Sequence, residues 1–155
     1  NRWRIRDFNC LNKYLDSKLK VDNEFRKAVI YYATMCSKNH CSSIIWVPED
    51  ESKKAIDAVV SSKNKIWRNN LSLTDEKNST IIQRILSSDG VTIISKTGKI
   101  LYCGAIVKLD VKKKSGLMGT GENAAETLSQ NGVAIKISQD GNIKIFATSL
   151  PPLIY

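Results

Sequence analysis

The segment LSSDGVTIISKTGKILYCGAIVKL, Leu86–Leu109, is where the chain changes its period. Upstream of it, apolar residues recur at helical spacing. Within it, GVTIIS (90–95) and KILYCGAIVKL (99–109) are β-rich runs. KTGK (96–99) joins them, and Gly98 supplies the turn glycine. That pattern predicts a β-hairpin.

Working back from the hairpin, STIIQRILSS places Ile81, Ile82, Ile85 and Leu86 on one helix face. SKKAIDAVVSS does the same with Ala55, Ile56, Val59 and Val60. SIIWV, Ser43–Val47, is a short apolar run ended by Pro48, which predicts a buried strand. Asp22 is placed to cap a helix over NEFRKAVIYYATMCSK, with Phe25, Ala28, Val29, Tyr32, Met35 and Cys36 on its apolar stripe. The first twenty residues are basic and only loosely periodic, which suggests a helical arm. Working forward, the polar loop DVKKKSGLM leads into a helix opened by GTGENAA. GVAIKIS and NIKIF then flank QDG and predict a second hairpin. The sum is helix, strand, helix, helix, hairpin, helix, hairpin. This order predicts a single α/β domain, a mixed β-sheet flanked by helices rather than a regular doubly wound fold. Its expected bounds are a basic arm over 1–21, the domain over 22–150 and a C-terminal tail over 151–155.

At 155 residues the chain is long enough for one hydrophobic core. Its 42% hydrophobic and 25% charged content is ordinary for a globular protein. No run of about 18 apolar residues predicts a transmembrane helix. No signal peptide is legible, and the chain begins at Asn1 rather than Met, as a piece cut from a longer protein would. The net charge of +9 favours an acidic partner such as a nucleotide, a nucleic acid or an anionic lipid, or serves solubility alone. Nucleic acid is the weaker option, because Trp3, Trp46 and Trp67 do not interleave with the basic residues. Cys10, Cys36, Cys41 and Cys103 form no CxxC pair. Cys36, His40 and Cys41 lack a fourth zinc ligand, and the adjacent His40–Cys41 is poor spacing for one tetrahedral ion. Cys36 and Cys103 read as small core residues, and free thiols suggest a reducing, cytoplasmic setting.

Three short segments at element boundaries carry candidate chemistry. In SSDGV (87–91), Asp89 could bind a divalent metal beside a polyphosphate, or form an Asx turn before the strand. Gly90 permits close backbone approach. In GTGENAA (119–125), Thr120 is a plausible N-cap. The helix start there offers amides and the positive end of the dipole to an anion, or is simply a capped surface helix. In SQDGNI (138–143), Asp-Gly builds a β-turn, and Ser138 could direct its hydroxyl into a cleft.

Taken together and in order, these segments resemble the diadenylate cyclase domain, and more closely the divergent DisA-like sensor branch of that bacterial superfamily. The resemblance covers about residues 22–147 and is specific mainly over 86–146. It implies a mixed sheet flanked by helices, with ATP or a cyclic dinucleotide in a cleft. In active relatives two protomers face each other, each holding one ATP and a divalent metal, Mg or Mn. Asp89 and Gly90 match the family's Asp-Gly, where the Asp serves metal and 3′-hydroxyl chemistry. Val91 replaces the usual Ala. Leu109 matches an apolar residue near the adenine. Gly119 and Thr120 match the Gly-Thr before the family's Arg-His-Arg, and Ser138 matches a serine near the phosphates.

The departure from the family concerns mechanism. Gly121, Glu122 and Asn123 stand where the family has Arg-His-Arg, and Gln139 stands where many active members carry Glu. Nucleotidyl transfer relies on positioning and electrostatic stabilisation, and losing one such donor costs on the order of a hundred-fold in rate or more. Here two guanidinium groups are replaced and a carboxylate is added. Lys112, Lys113 and Lys114 could supply charge to a remodelled pocket, or form a solvated basic loop. The expectation is a catalytically degenerate domain that senses a nucleotide or cyclic dinucleotide. The alternatives are an active cyclase converting two ATP to cyclic di-AMP, with Asp89 its catalytic and metal residue, and a non-catalytic assembly scaffold. A homo-oligomer and an effector domain fused beyond this chain are compatible with each reading.

Overall fold

A computed structural model describes residues 8–66, 70–109, 119–148 and 150–154. Helix α1 (Phe8–Leu19) and helix α2 (Asn23–Lys38) come first. The Asp22 carboxylate accepts the Phe25 N–H at 2.7 Å, which satisfies one orphan amide at the start of α2. The expected stripe then buries Phe25, Val29, Tyr32 and Cys36. Strand β1 (Ser43–Pro48) is buried along its whole length, and helix α3 (Lys53–Val59) follows, capped by Ser52. Strand β2 (Val60–Lys65) precedes helix α4 (Ser79–Leu86). Strands β3 (Val91–Ile94) and β4 (Ile100–Val107) are the hairpin of the 86–109 segment. Helix α5 (Thr120–Ser129), strands β5 (Gly132–Ile137) and β6 (Ile143–Ala147), and strand β7 (Leu150–Ile154) complete the order.

The seven strands form one mixed sheet in the order β2-β4-β3-β1-β5-β6-β7. Among the described strands only the pair β1·β3 is parallel, and the other pairs, β1·β5 included, are antiparallel. The fold is therefore α/β, with a mixed sheet covered on both faces. Alternation along β1 divides the core: Ile45 and Val47 face one layer, Ile44 and Trp46 the other. The first layer packs under α1, α2 and α4 through Leu15, Phe25, Val29, Ile82 and Leu86. The second packs under α3 and α5 through Ile56, Ala125 and Leu128. Strands buried on both faces read as continuous apolar runs, which is why SIIWV and GVAIKI stand out without strict alternation.

Three local expectations are corrected. The helix expected through SKKAIDAVVSS stops at Val59, and Val60 begins β2 with extended backbone. Two adjacent β-branched residues disfavour another helical turn. The polar SSKNK that follows makes an edge strand, on which lysine discourages pairing with other chains. At the other end, the expected tail over 151–155 does not simply trail away: its residues up to Ile154 belong to β7, which pairs with β6. Pro151 and Pro152 argue against a central strand, but β7 lies on the sheet edge and they fall within its register shift. Finally, part of the N-terminal arm belongs to the core, since Tyr14, Leu15 and Leu19 of α1 are buried there.

Candidate functional site

The parallel strands β1 and β3 begin beside the start of α5, and a cleft of about 480 Å³ opens there. One wall is the α4–β3 connection. The Asp89 side chain is exposed, and its Oδ1 accepts the Gly90 N–H at 2.9 Å. No ion pair involves Asp89 among the described residues. Gly90 has φ +89°, and a Cβ there would sit 2.9 Å from the Gly104 carbonyl carbon. Backbone meets backbone at that point, so the residue must be glycine for β3 to start against β4. Gly104 itself has φ +57° and lies where the β3·β4 register shifts.

The floor and far wall are apolar. Ile44, Val91, Ala105, Val107 and Leu109 line the cleft, and Ile106 projects at its rim with 60% of its surface exposed. The opposite wall is the first turn of α5, through Thr120, Gly121 and Ala124. Gly119, not Thr120, is the N-cap: its carbonyl accepts the Glu122 and Asn123 amides at 3.0 and 3.1 Å. A glycine cap has no side chain to bond the helix start, so no side-chain cap shields the first-turn amides.

Six expected site residues therefore line one cleft: Asp89, Gly90, Val91, Leu109, Thr120 and Gly121. Gly119 is adjacent as the cap. Glu122 and Asn123 are not in the lining. Glu122 Oε1 instead accepts the Lys144 Nζ at 2.5 Å, a pair about one quarter exposed on each side. Ser138 is outside as well: its N–H donates to the Asn142 carbonyl and its own carbonyl accepts the Gly141 N–H, both at 2.9 Å. It belongs to the β5–β6 turn, which is secured by Ser37 at the end of α2, Oγ–H to the Gly141 carbonyl (2.6 Å), and by His40 in the turn after it, Nδ1–H to the Gln139 carbonyl (2.9 Å). Lys112, Lys113 and Lys114 lie outside the described residues.

Among the lining residues that the sequence does not single out, two shape the cleft most. One is Gly104. The other is Lys136, in the middle of β5, only 7% exposed yet lining the cleft. Its Nζ donates to Ser42 Oγ (2.8 Å) and to the Ile137 carbonyl (2.6 Å). Burial pushes its pKa down, while the Glu122 and Asp140 charges oppose that shift. The signal was present in GVAIKIS, where a lysine interrupts an otherwise apolar strand.

Compared with protein families and with curated protein sequences, the chain matches none. Solved structures do resemble it. A hypothetical membrane spanning protein from Bacillus cereus superposes with TM-score 0.62 at 16% identity, over 83% of this chain and 61% of that one. The chain thus spans less than two thirds of that relative. DacA from Staphylococcus aureus, crystallised as a double cysteine mutant, superposes with TM-score 0.55 at 18% identity, over 83% of each chain. The fold is diadenylate-cyclase-like. Among the described residues no helix is long and apolar enough to cross a membrane.

Proposed function

We propose that this chain is a diadenylate-cyclase-like domain that recognises a nucleotide or cyclic dinucleotide and does not turn it over. The observation that carries the reading is the convergence of Asp89–Gly90 and Thr120–Gly121 on one cleft with an apolar wall. A base fits against Ile44, Val91 and Leu109, and its phosphates lie toward the start of α5. Amides and dipole at a helix start favour anionic groups.

The case against turnover is electrostatic. The described first turn of α5 carries no cation, and its one charged residue, Glu122, is held by Lys144. Phosphate charge developing in a transition state finds no guanidinium there. The residues fit a divalent cation only in part. Asp89 offers one carboxylate, and no group of three potential ligands exists among the described residues. Mg²⁺ or Mn²⁺ would therefore be held jointly with ligand phosphates, whose charge it would offset.

Calorimetric titration with ATP and with cyclic di-AMP tests the reading. Binding that weakens in Asp89→Asn, with an unchanged melting temperature, is the expected result. No heat from either ligand at about millimolar concentration, the weak end of specific affinities, would sink it. Incubation with ATP and Mn²⁺ separates sensor from enzyme: product that vanishes in Asp89→Asn would restore the cyclase reading.

A further inference from the structure

We propose that Lys136 is the phosphate anchor of the cleft, reaching it from the sheet because Gly121 leaves room on the helix. The proposal rests on the nucleotide reading but adds a residue and a charge that reading does not contain. A lysine is rarely this buried without a carboxylate partner, because taking an ammonium out of water is unfavourable unless it is paired. Here both partners are neutral: the Ser42 hydroxyl and the Ile137 carbonyl. No ion pair involves Lys136 among the described residues. The two carboxylates whose charge it feels are engaged elsewhere, Glu122 with Lys144 and Asp140 with the Asn142 backbone and side-chain amides. Lys136 and Lys144 are directly opposed across β5·β6, a like-charge pair. Glu122 neutralises one member, and the remaining positive charge belongs to the lysine that lines the cleft.

The helix is shaped around this side chain. A Cβ on Gly121 would sit 2.7 Å from Lys136 Cε and 3.5 Å from its Nζ. Any other residue there forces the lysine stem aside. An ammonium has three N–H donors, and two are used within the protein, leaving one for a ligand oxygen beside the first turn of α5. A phosphate or phosphodiester oxygen fits that donor, the dipole and the missing counter-charge together.

Calorimetry with ATP, cyclic di-AMP and inorganic tripolyphosphate tests the proposal on the wild type, Lys136→Met and Gly121→Ala. Lys136→Met should weaken nucleotide binding about ten- to a hundred-fold, the scale of one charge-assisted hydrogen bond. It should also leave the melting temperature unchanged or raised, since an uncompensated buried charge is removed; a purely structural lysine would lower it. Gly121→Ala retains the ammonium but crowds its stem, and should weaken binding with the helical circular dichroism intact, which covers the case of a poorly folded Met variant. Equal nucleotide affinity in wild type and both variants would overturn the anchor and leave the nucleotide reading standing. Lys136-dependent binding of tripolyphosphate without binding of either nucleotide would uphold the anchor and overturn that reading. Binding of none of the three probes would overturn both.

Discussion

At the residue scale, conformation and burial explain more than residue type. Gly90 is fixed by a backbone contact: its Cβ would lie 2.9 Å from Gly104 C and 3.0 Å from Ala105 O. Gly90→Ala should therefore destabilise the chain by about 2 kcal/mol or more, from positive φ and from displaced backbone, measured by urea unfolding. Cys36 shows what burial does to a titratable group. Desolvation, with a smaller contribution from Cys41, pushes its thiol up from 9.0 to about 11. The unfolded chain thus releases this proton near pH 9 while the folded chain keeps it, so the unfolded state binds fewer protons between those values. Stability is full below pH 9 and falls as pH rises toward 11, by about 2–3 kcal/mol in all. The loss should shrink in Cys36→Ala, compared with wild type across that range by chemical denaturation. Glu122 brings a carboxylate to the helix start beside the cleft, and its ion pair with Lys144 holds that charge outside the lining.

At the element scale, sequence was a good guide wherever one physical signal dominated. The capped stripe of α2, the apolar run of β1 and the two hairpins all formed where their patterns lie. It was a poor guide at the sheet edges. Strand β2 is polar and β7 carries two prolines, so neither has alternation or β-propensity to announce it. Both exist because the sheet beside them has hydrogen-bonding edges to be satisfied. Removing residues 150–155 should leave the β6 backbone edge unpaired beside Ile143, Ile145 and Phe146. The expected outcome on size-exclusion chromatography is stronger concentration-dependent association than residues 1–155 show.

At the scale of the whole molecule, the same strands serve two cores. Ile45 and Ile135 belong to one layer, Ile44 and Ala134 to the other. Neither layer can open without disrupting the sheet that closes the other. Unfolding should accordingly be a single transition, with coincident urea midpoints by tryptophan fluorescence and far-ultraviolet circular dichroism. Two separated midpoints would show that the layers are independent. This shared sheet also makes the cleft, because it holds the 86–91 connection, the 104–109 strand end and the start of α5 at one place.

Local periodicity, caps and turn glycines are enough to read the α/β class, most helices and strands, and six of the residues that line the cleft. The rest follows from contacts between segments distant in the chain. Ser138 and Glu122 carry the expected chemistry, but the β5–β6 turn holds one and an ion pair the other outside the cleft lining. Lys136 interrupts an apolar strand, and only the glycine on the helix beside it gives its side chain room in the cleft. A charge is assigned its role by the groups that come to surround it, and those groups lie far apart in the chain.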